Sequence, residues 1–221
     1  MTSRRQMLAR GAGLAAVSAL GLPAAFAQGS NYGIQGRQAP ELEVDWWIDR
    51  DGKPTSFTLA GARGKWIYLK CFQNWCPGCH KYGFPALKKV ADAFENNDRV
   101  VAVGVQTVFE GFSTNTRYSV RELQLRYALP ITMGHDPGDH ERRPSTMRLY
   151  RTGGTPWVII ISPEGRVVFN HFHVEPEKSI PFLKKQIAWE QVIGLALARR
   201  RSGRLASVVP CVKIALSSID T

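Results

Sequence analysis

Apolar positions along this chain fall into two repeating patterns. Short continuous runs, Trp66-Ile67-Tyr68-Leu69, Val100-Val101-Ala102-Val103-Gly104-Val105 and Trp157-Val158-Ile159-Ile160-Ile161, read as strands covered on both faces. Between and after them the spacing changes to three and four. Phe84, Leu87, Val90, Ala91 and Phe94 predict one helix, residues 120–129 a second, and Ile180, Leu183, Ile187, Val192 and Leu195 a long final one over 175–198. Pro85 removes a helical hydrogen bond and predicts a kink.

Turn residues divide the rest. Residues 49–54, Asp-Arg-Asp-Gly-Lys-Pro, separate the tryptophan-bearing stretch 41–48 from a short strand at Phe57-Thr58-Leu59. Together they predict an N-terminal hairpin laid on the main sheet. Ser162-Pro163-Glu164-Gly165 turns the chain into a second hairpin returning through Arg166-Val167-Val168-Phe169. Ile131 begins a short extended piece. Residues 135–145 are polar, with two prolines and a glycine, and read as a mobile loop. The order β, α, β, α, β, β, α behind a hairpin predicts an α/β fold, one central mixed sheet flanked by helices.

Composition bounds the ends. The chain has 221 residues and a net charge of +11, enough for one domain with a core of its own. Three arginines at the front and a net four positive charges beyond residue 198 leave +4 for residues 28–198. No basic stripe interleaved with aromatics argues for nucleic acid as partner. Residues 1–27 read as an export signal: Arg4-Arg5 at a charged start, a glycine-containing apolar run from Gly11 to Leu22, and a small-x-small site at Ala25-Phe26-Ala27. The arginine pair resembles the twin-arginine type, and the apolar run is short for a span of about 20 residues. The expected location is the periplasm, soluble after cleavage of the signal. Residues 28–38 read as a loose segment, 39–198 as the domain, and 199–221 as a basic and apolar tail without an assigned role.

The chemistry concentrates at Trp75-Cys76-Pro77-Gly78-Cys79-His80, between a strand and a helix that would begin at or near Cys76. A sulfur at a helix N-terminus meets unpaired N–H groups and is favoured as thiolate, the nucleophile of disulfide exchange. Cys79, one turn on, is placed to close a ring with Cys76. Cys71 lies in the strand and reads as buried and inert; Cys211 falls in the tail.

With Gly153-Gly154-Thr155-Pro156 before the last hairpin, this motif resembles the thioredoxin fold. The hairpin, the export signal and the insert before Thr155-Pro156 resemble the TlpA/ResA-type branch, which borders the redoxin and peroxiredoxin superfamily. The likeness spans residues 39–188. It implies an exported thiol–disulfide oxidoreductase, here a disulfide reductase, in which Cys76 attacks a protein disulfide and Cys79 resolves the mixed disulfide. It also implies a cis Thr155-Pro156 beside Cys76, a substrate groove shaped by Trp75, Pro77, Thr155 and Pro156, and a periplasmic or membrane-bound electron donor. No cofactor is implied. Trp75 is expected to cover the dithiol, and Trp46, Trp47, Trp66 and Trp157 to fill the core.

Two departures stand out. The buried acid many thioredoxins carry six residues before the first cysteine is Lys70 here, and Tyr82 stands near the place of a glutamate found in some exported relatives. The proton acceptor for Cys79 is thus open among Glu110, His80 and water, and Lys70 either faces the site or snorkels away. Four other readings share the motif. CxxCH fits c-type haem attachment, although no haem is expected. His135, His140, His171 and His173 are candidate metal ligands, with His171 and His173 on one side of a strand end. A thiol peroxidase shares the fold, with Gln73 where its Thr or Ser would stand. The last is a binding protein with an inactive dithiol.

Overall fold

A computed structural model describes residues 32–201, with side chains to residue 197. The export-signal region, the rest of the tail and Cys211 lie outside the described residues.

Seven strands form one mixed sheet in the order β2-β1-β5-β4-β3-β6-β7. They are β1 (Trp46–Ile48), β2 (Pro54–Thr55), β3 (Trp66–Phe72), β4 (Val100–Val108), β5 (Thr132–Pro137), β6 (Trp157–Ile161) and β7 (Val167–His171). The three inner strands β3, β4 and β5 run parallel, while the two hairpins pair antiparallel. Four helices complete the fold: α1 (Phe84–Ala93), α2 (Arg117–Arg126), α3 (Ser145–Tyr150) and α4 (Pro176–Arg201).

β3 is buried along its whole length, as a continuous apolar run in the middle of a parallel sheet should be. Alternation splits its side chains between two cores. Trp66, Tyr68 and Phe72 face α1 and α4, with Leu87, Val90 and Leu183. Ile67, Leu69 and Cys71 face the other layer, with Trp47, Tyr150 and Trp157. Lys70 falls on the α1 and α4 side.

Several expectations need correction. Phe57-Thr58-Leu59 is irregular; the hairpin partner of β1 is Pro54–Thr55, and Leu59 instead inserts into the core. The described part of the segment expected to be loose is bonded at the far edge of β7, where Gly36 and Arg37 exchange backbone hydrogen bonds with Val167 and Ile34 is buried. Residues 135–145 are no simple loop: His135 and Asp136 are buried in β5, and Asp136 accepts from the backbone of Ser145 and Thr146 to start α3. Polar composition hid this strand because its carboxylate and imidazole are satisfied internally. The second helix begins at Arg117, three residues earlier than expected, because Thr116 and Ser119 form a reciprocal cap.

α4 runs 26 residues to Arg201. Leu183 and Ile187 are buried and Ile180 packs partly against them, but Val192 and Leu195, which share their spacing, are exposed. The helix outlasts the sheet beneath it. Glu190 holds it at the last contact, accepting from Trp66 Nε1 at 2.9 Å and from Arg99 at 2.6 Å.

Candidate active site

Strand pairing assembles the site. Cys71 of β3 lies opposite Trp157 of β6. The residues just before β6, Thr155 and Pro156, therefore meet the chain just after β3. The Thr155-Pro156 bond is cis. Cys76 Sγ is 3.5 Å from the Thr155 carbonyl. A Cβ on Gly78 would lie 3.2 Å from Pro156 Cδ, and one on Gly83 would lie 3.1 Å from Pro156 Cβ. The two glycines leave room for the proline against the helix start.

Pro77 and Gly78 are already helical, so Cys76 occupies the capping position. Its carbonyl accepts from Cys79 N at 3.0 Å and His80 N at 3.2 Å, and its Sγ accepts from Cys79 N at 3.2 Å. Cys79 to Gly83 form a π-helical turn before α1. Phe84 N–H bonds the Cys79 carbonyl, five residues back, and the next residue, Pro85, has no N–H to restore ordinary spacing. The expected kink takes this form.

Cys76, Cys79 and Cys71 are free thiols. The hydrogen bond with Cys79 holds Cys76 down to about 6 against the burial that opposes it, with Thr155 and the N–H groups of Cys79 and Gly78 adding to the effect. Burial, and then the bond to Cys76, push Cys79 far up. Burial does the same to Cys71, as expected for an inert strand cysteine. Cys76 is nearly covered, with 5% of its surface accessible. An incoming disulfide must reach its sulfur past Pro156.

Trp75 is exposed beside Cys76, and its indole rests on Gly111, whose φ of +59° suits a residue without a side chain. Pro77 is exposed as well. Of the tryptophans expected in the core, Trp47, Trp66 and Trp157 are buried and Trp46 is partly so. Asn115, which sequence reasoning passed over, ties the two loops of the site together. It accepts from Asn74 N at 2.6 Å and donates to the Glu110 carbonyl at 2.9 Å. Its only signal in the chain was a polar residue in a polar loop.

The open candidates now have places. His80 has both ring nitrogens engaged, with Tyr127 Oη and the Asn74 carbonyl. Glu110 is exposed and joins the network through its backbone N–H, which bonds Gln73 Oε1. Gln73 itself is buried. Lys70 does not snorkel: it is fully buried, and its Nζ lies 3.3 Å from His173 Nδ1. Burial lowers its pKa to about 8, opposed by Cys79, Cys71, Cys76 and Glu175. The histidines do not converge. His135 is buried in β5 against Gln106, held down to about 4 by burial and by Arg117. His140 meets Phe112. His171 is exposed and stacks on Trp157, while His173 turns inward to Lys70, so the two do not share a side.

Comparison with known proteins places this geometry. No curated protein matches the sequence. The crystal structure of a thioredoxin-like superfamily protein is similar at 31% identity and TM-score 0.57, over 78% of this chain and 99% of that one. A thiol–disulfide isomerase from Corynebacterium glutamicum is 29% identical with TM-score 0.53, over 61% and 86%. A putative thiol:disulfide interchange protein DsbE from Chlorobium tepidum, 21% identical with TM-score 0.51 over 70% and 96%, shares the fold. Residues 35–170 match the AhpC/TSA family. The chain belongs to the AhpC/TSA family and has the thioredoxin-like fold of the thiol–disulfide oxidoreductases.

Proposed function

We propose that this protein reduces disulfides in other proteins through Cys76 and Cys79. The observation that carries this reading is the Cys76 sulfur, held as a thiolate at a helix start with the Cys79 N–H 3.2 Å away. Cys76 attacks one sulfur of a substrate disulfide and expels the other as thiolate. Cys79 then attacks Cys76, a disulfide closes between them, and the second substrate sulfur leaves. Thr155 and Pro156 form one wall of the groove, with Trp75 and Pro77 on its exposed side. The reaction takes place outside the cytoplasm, an assignment that rests on residues 1–27. A periplasmic or membrane-bound donor returns the pair to the dithiol. No helix among the described residues is long and apolar enough to cross a membrane.

The test is capture. Cys79→Ser leaves the mixed disulfide unresolved, so a covalent complex on Cys76 should accumulate with a reducible protein substrate, and Cys76→Ser should give none. Insulin reduction should proceed with the native pair and fail with either variant. Failure to trap any adduct would remove the assignment.

A second reading, a thiol peroxidase, draws support from the AhpC/TSA match. A peroxidase needs its nucleophile to expel water from a peroxide, and the residue three before Cys76 is the buried amide Gln73. Turnover of hydrogen peroxide faster than insulin reduction, by the same reduced protein, would decide for it.

A further inference from the structure

The resolving step needs a base. Cys79 is fully buried and carries its proton until the mixed disulfide forms. Attack by its sulfur requires that proton to leave through the interior.

Lys70 is the buried titratable group behind it. Lys70 Cε and Cys79 Cβ lie 3.3 and 3.7 Å from one point, the place a Cβ on Gly83 would occupy. Gly83 thus lets the amine stem and the cysteine close in on one unfilled point, with Pro156 Cβ as its third neighbour at 3.1 Å. Among the described residues Lys70 makes no ion pair, and its hydrogen-bond partner is His173. From His173, Nε2 lies 3.3 Å from Glu175 Oε1, within ion-pair distance but without hydrogen-bond geometry, on an exposed residue just before α4. Two buried hydroxyls with no partner among the described residues, Tyr68 and Ser179, belong to this neighbourhood. Tyr68 feels the charge of Glu175, and Ser179 N–H bonds its carbonyl. An unneutralised lysine in a core is costly, and burial favours its neutral form.

We propose that Lys70 gives its ammonium proton to solvent by way of His173 and Glu175 and then accepts the Cys79 proton during resolution. This rests on the reading of Cys76 and Cys79 above. Before the reaction, the Cys76 thiolate is one of the charges that keep Lys70 protonated and Cys79 a thiol. Formation of the mixed disulfide consumes that thiolate. Lys70 then loses a stabilising anion and yields its ammonium proton more readily, to His173 Nδ1, whose ring burial and the Lys70 charge keep neutral. The neutral amine takes the proton of Cys79. The Cys79 sulfur bonds to Cys76 Sγ, the bond from Cys76 to the substrate sulfur breaks, and the substrate leaves as thiolate. One proton moves from Cys79 to Lys70, and the one Lys70 gave up leaves past Glu175. The electron pair of the broken bond goes with the leaving sulfur.

The experiment is rapid mixing of the full reduced protein, carrying Cys211→Ser so that the tail thiol adds no colour, with the aromatic disulfide DTNB, which releases one coloured thiolate as Cys76 attacks and a second as Cys79 resolves. In the native protein the second release should rise with pH and level off at or below about 8. Lys70→Met should slow the second release about 100-fold at pH 7, the scale of a lost general base, and the first by no more than about threefold. Lys70→Arg keeps the charge but cannot give up a proton, and should not restore the rate. His173→Asn, at the rim where packing is looser, should slow only the second release, about tenfold, and keeps the test open if the core variants do not fold. Recovery by Lys70→Arg, equal slowing of both releases, or an unchanged second release in folded variants would overturn the relay while leaving the dithiol reading intact. A native protein with no first release would remove both.

Discussion

Cys76 Sγ accepts the backbone N–H of Cys79 at 3.2 Å, one of several bonds that, together with burial, separate the chemistry of two sulfurs three residues apart. The upstream sulfur sits where helix N–H groups converge and is held to about 6. The downstream one sits a turn inside the core, where no water reaches it, and keeps its proton. Attack and resolution are divided by position in the helix.

Alkylation of the reduced protein by iodoacetamide should follow that division. The rate of labelling at Cys76 should climb through pH 5 to 7, reach half its plateau near pH 6 and stay level to pH 8, with no label on Cys71 or Cys79. Peptide mapping of the labelled protein checks the site. A rate still rising steeply at pH 8 would mean an ordinary thiol.

The same shift makes the stability of the reduced protein depend on pH. The folded Cys76 titrates near 6, below its ordinary value of 9.0. Between these values the unfolded chain binds more protons than the folded one, so stability rises with pH. The gain is complete above pH 9 and is lost as pH falls through 6. Denaturant midpoints of the reduced protein should increase from pH 6 to 8.5, and Cys76→Ser should flatten that increase.

Gly111 supports Trp75. A Cβ there would lie 2.6 Å from the indole Cδ1, on a backbone with φ of +59°. Gly111→Ala should destabilise the protein by about 1–2 kcal/mol and displace the ring into solvent. Tryptophan emission should shift to the red. Insulin reduction should slow more than alkylation of Cys76, because the groove is changed and the sulfur is not.

Asn115→Ala removes the clamp between the loops at 73–74 and 110–111. Asn74 N loses its acceptor and the Glu110 carbonyl its donor. A loss of about 1–3 kcal/mol is expected from buried groups left unpaired, read as a lower midpoint in thermal unfolding. Asn115→Asp keeps the acceptor and should recover part of it.

The inner strands and the dithiol could be read from local chemistry. A run such as Val158-Ile159-Ile160-Ile161 has no solvated alternative, and two cysteines one helical turn apart after a strand admit few arrangements. His135 and Asp136 could not be read, since a polar pair looks like a loop until Gln106, Ser145 and Thr146 arrive from elsewhere to satisfy it. The docking of residues 36–39 along the start of β7 and the turn before it was hidden too: most of its bonds are backbone to backbone, and the side chains that add to them, Arg166 and Gln38, meet carbonyls far away along the chain.

The order of residues alone determined where a strand hands over to a helix and which sulfur lies at the junction, because periodicity and capping act over a few neighbours. Only the tertiary structure decided the surroundings of that sulfur. The partnering of β3 with β6 brings Pro156 to Cys76, and the turn after β7 brings His173 to Lys70, 103 positions away along the chain. Contacts at that separation depend on how strands pair and helices pack, and no local pattern encodes them.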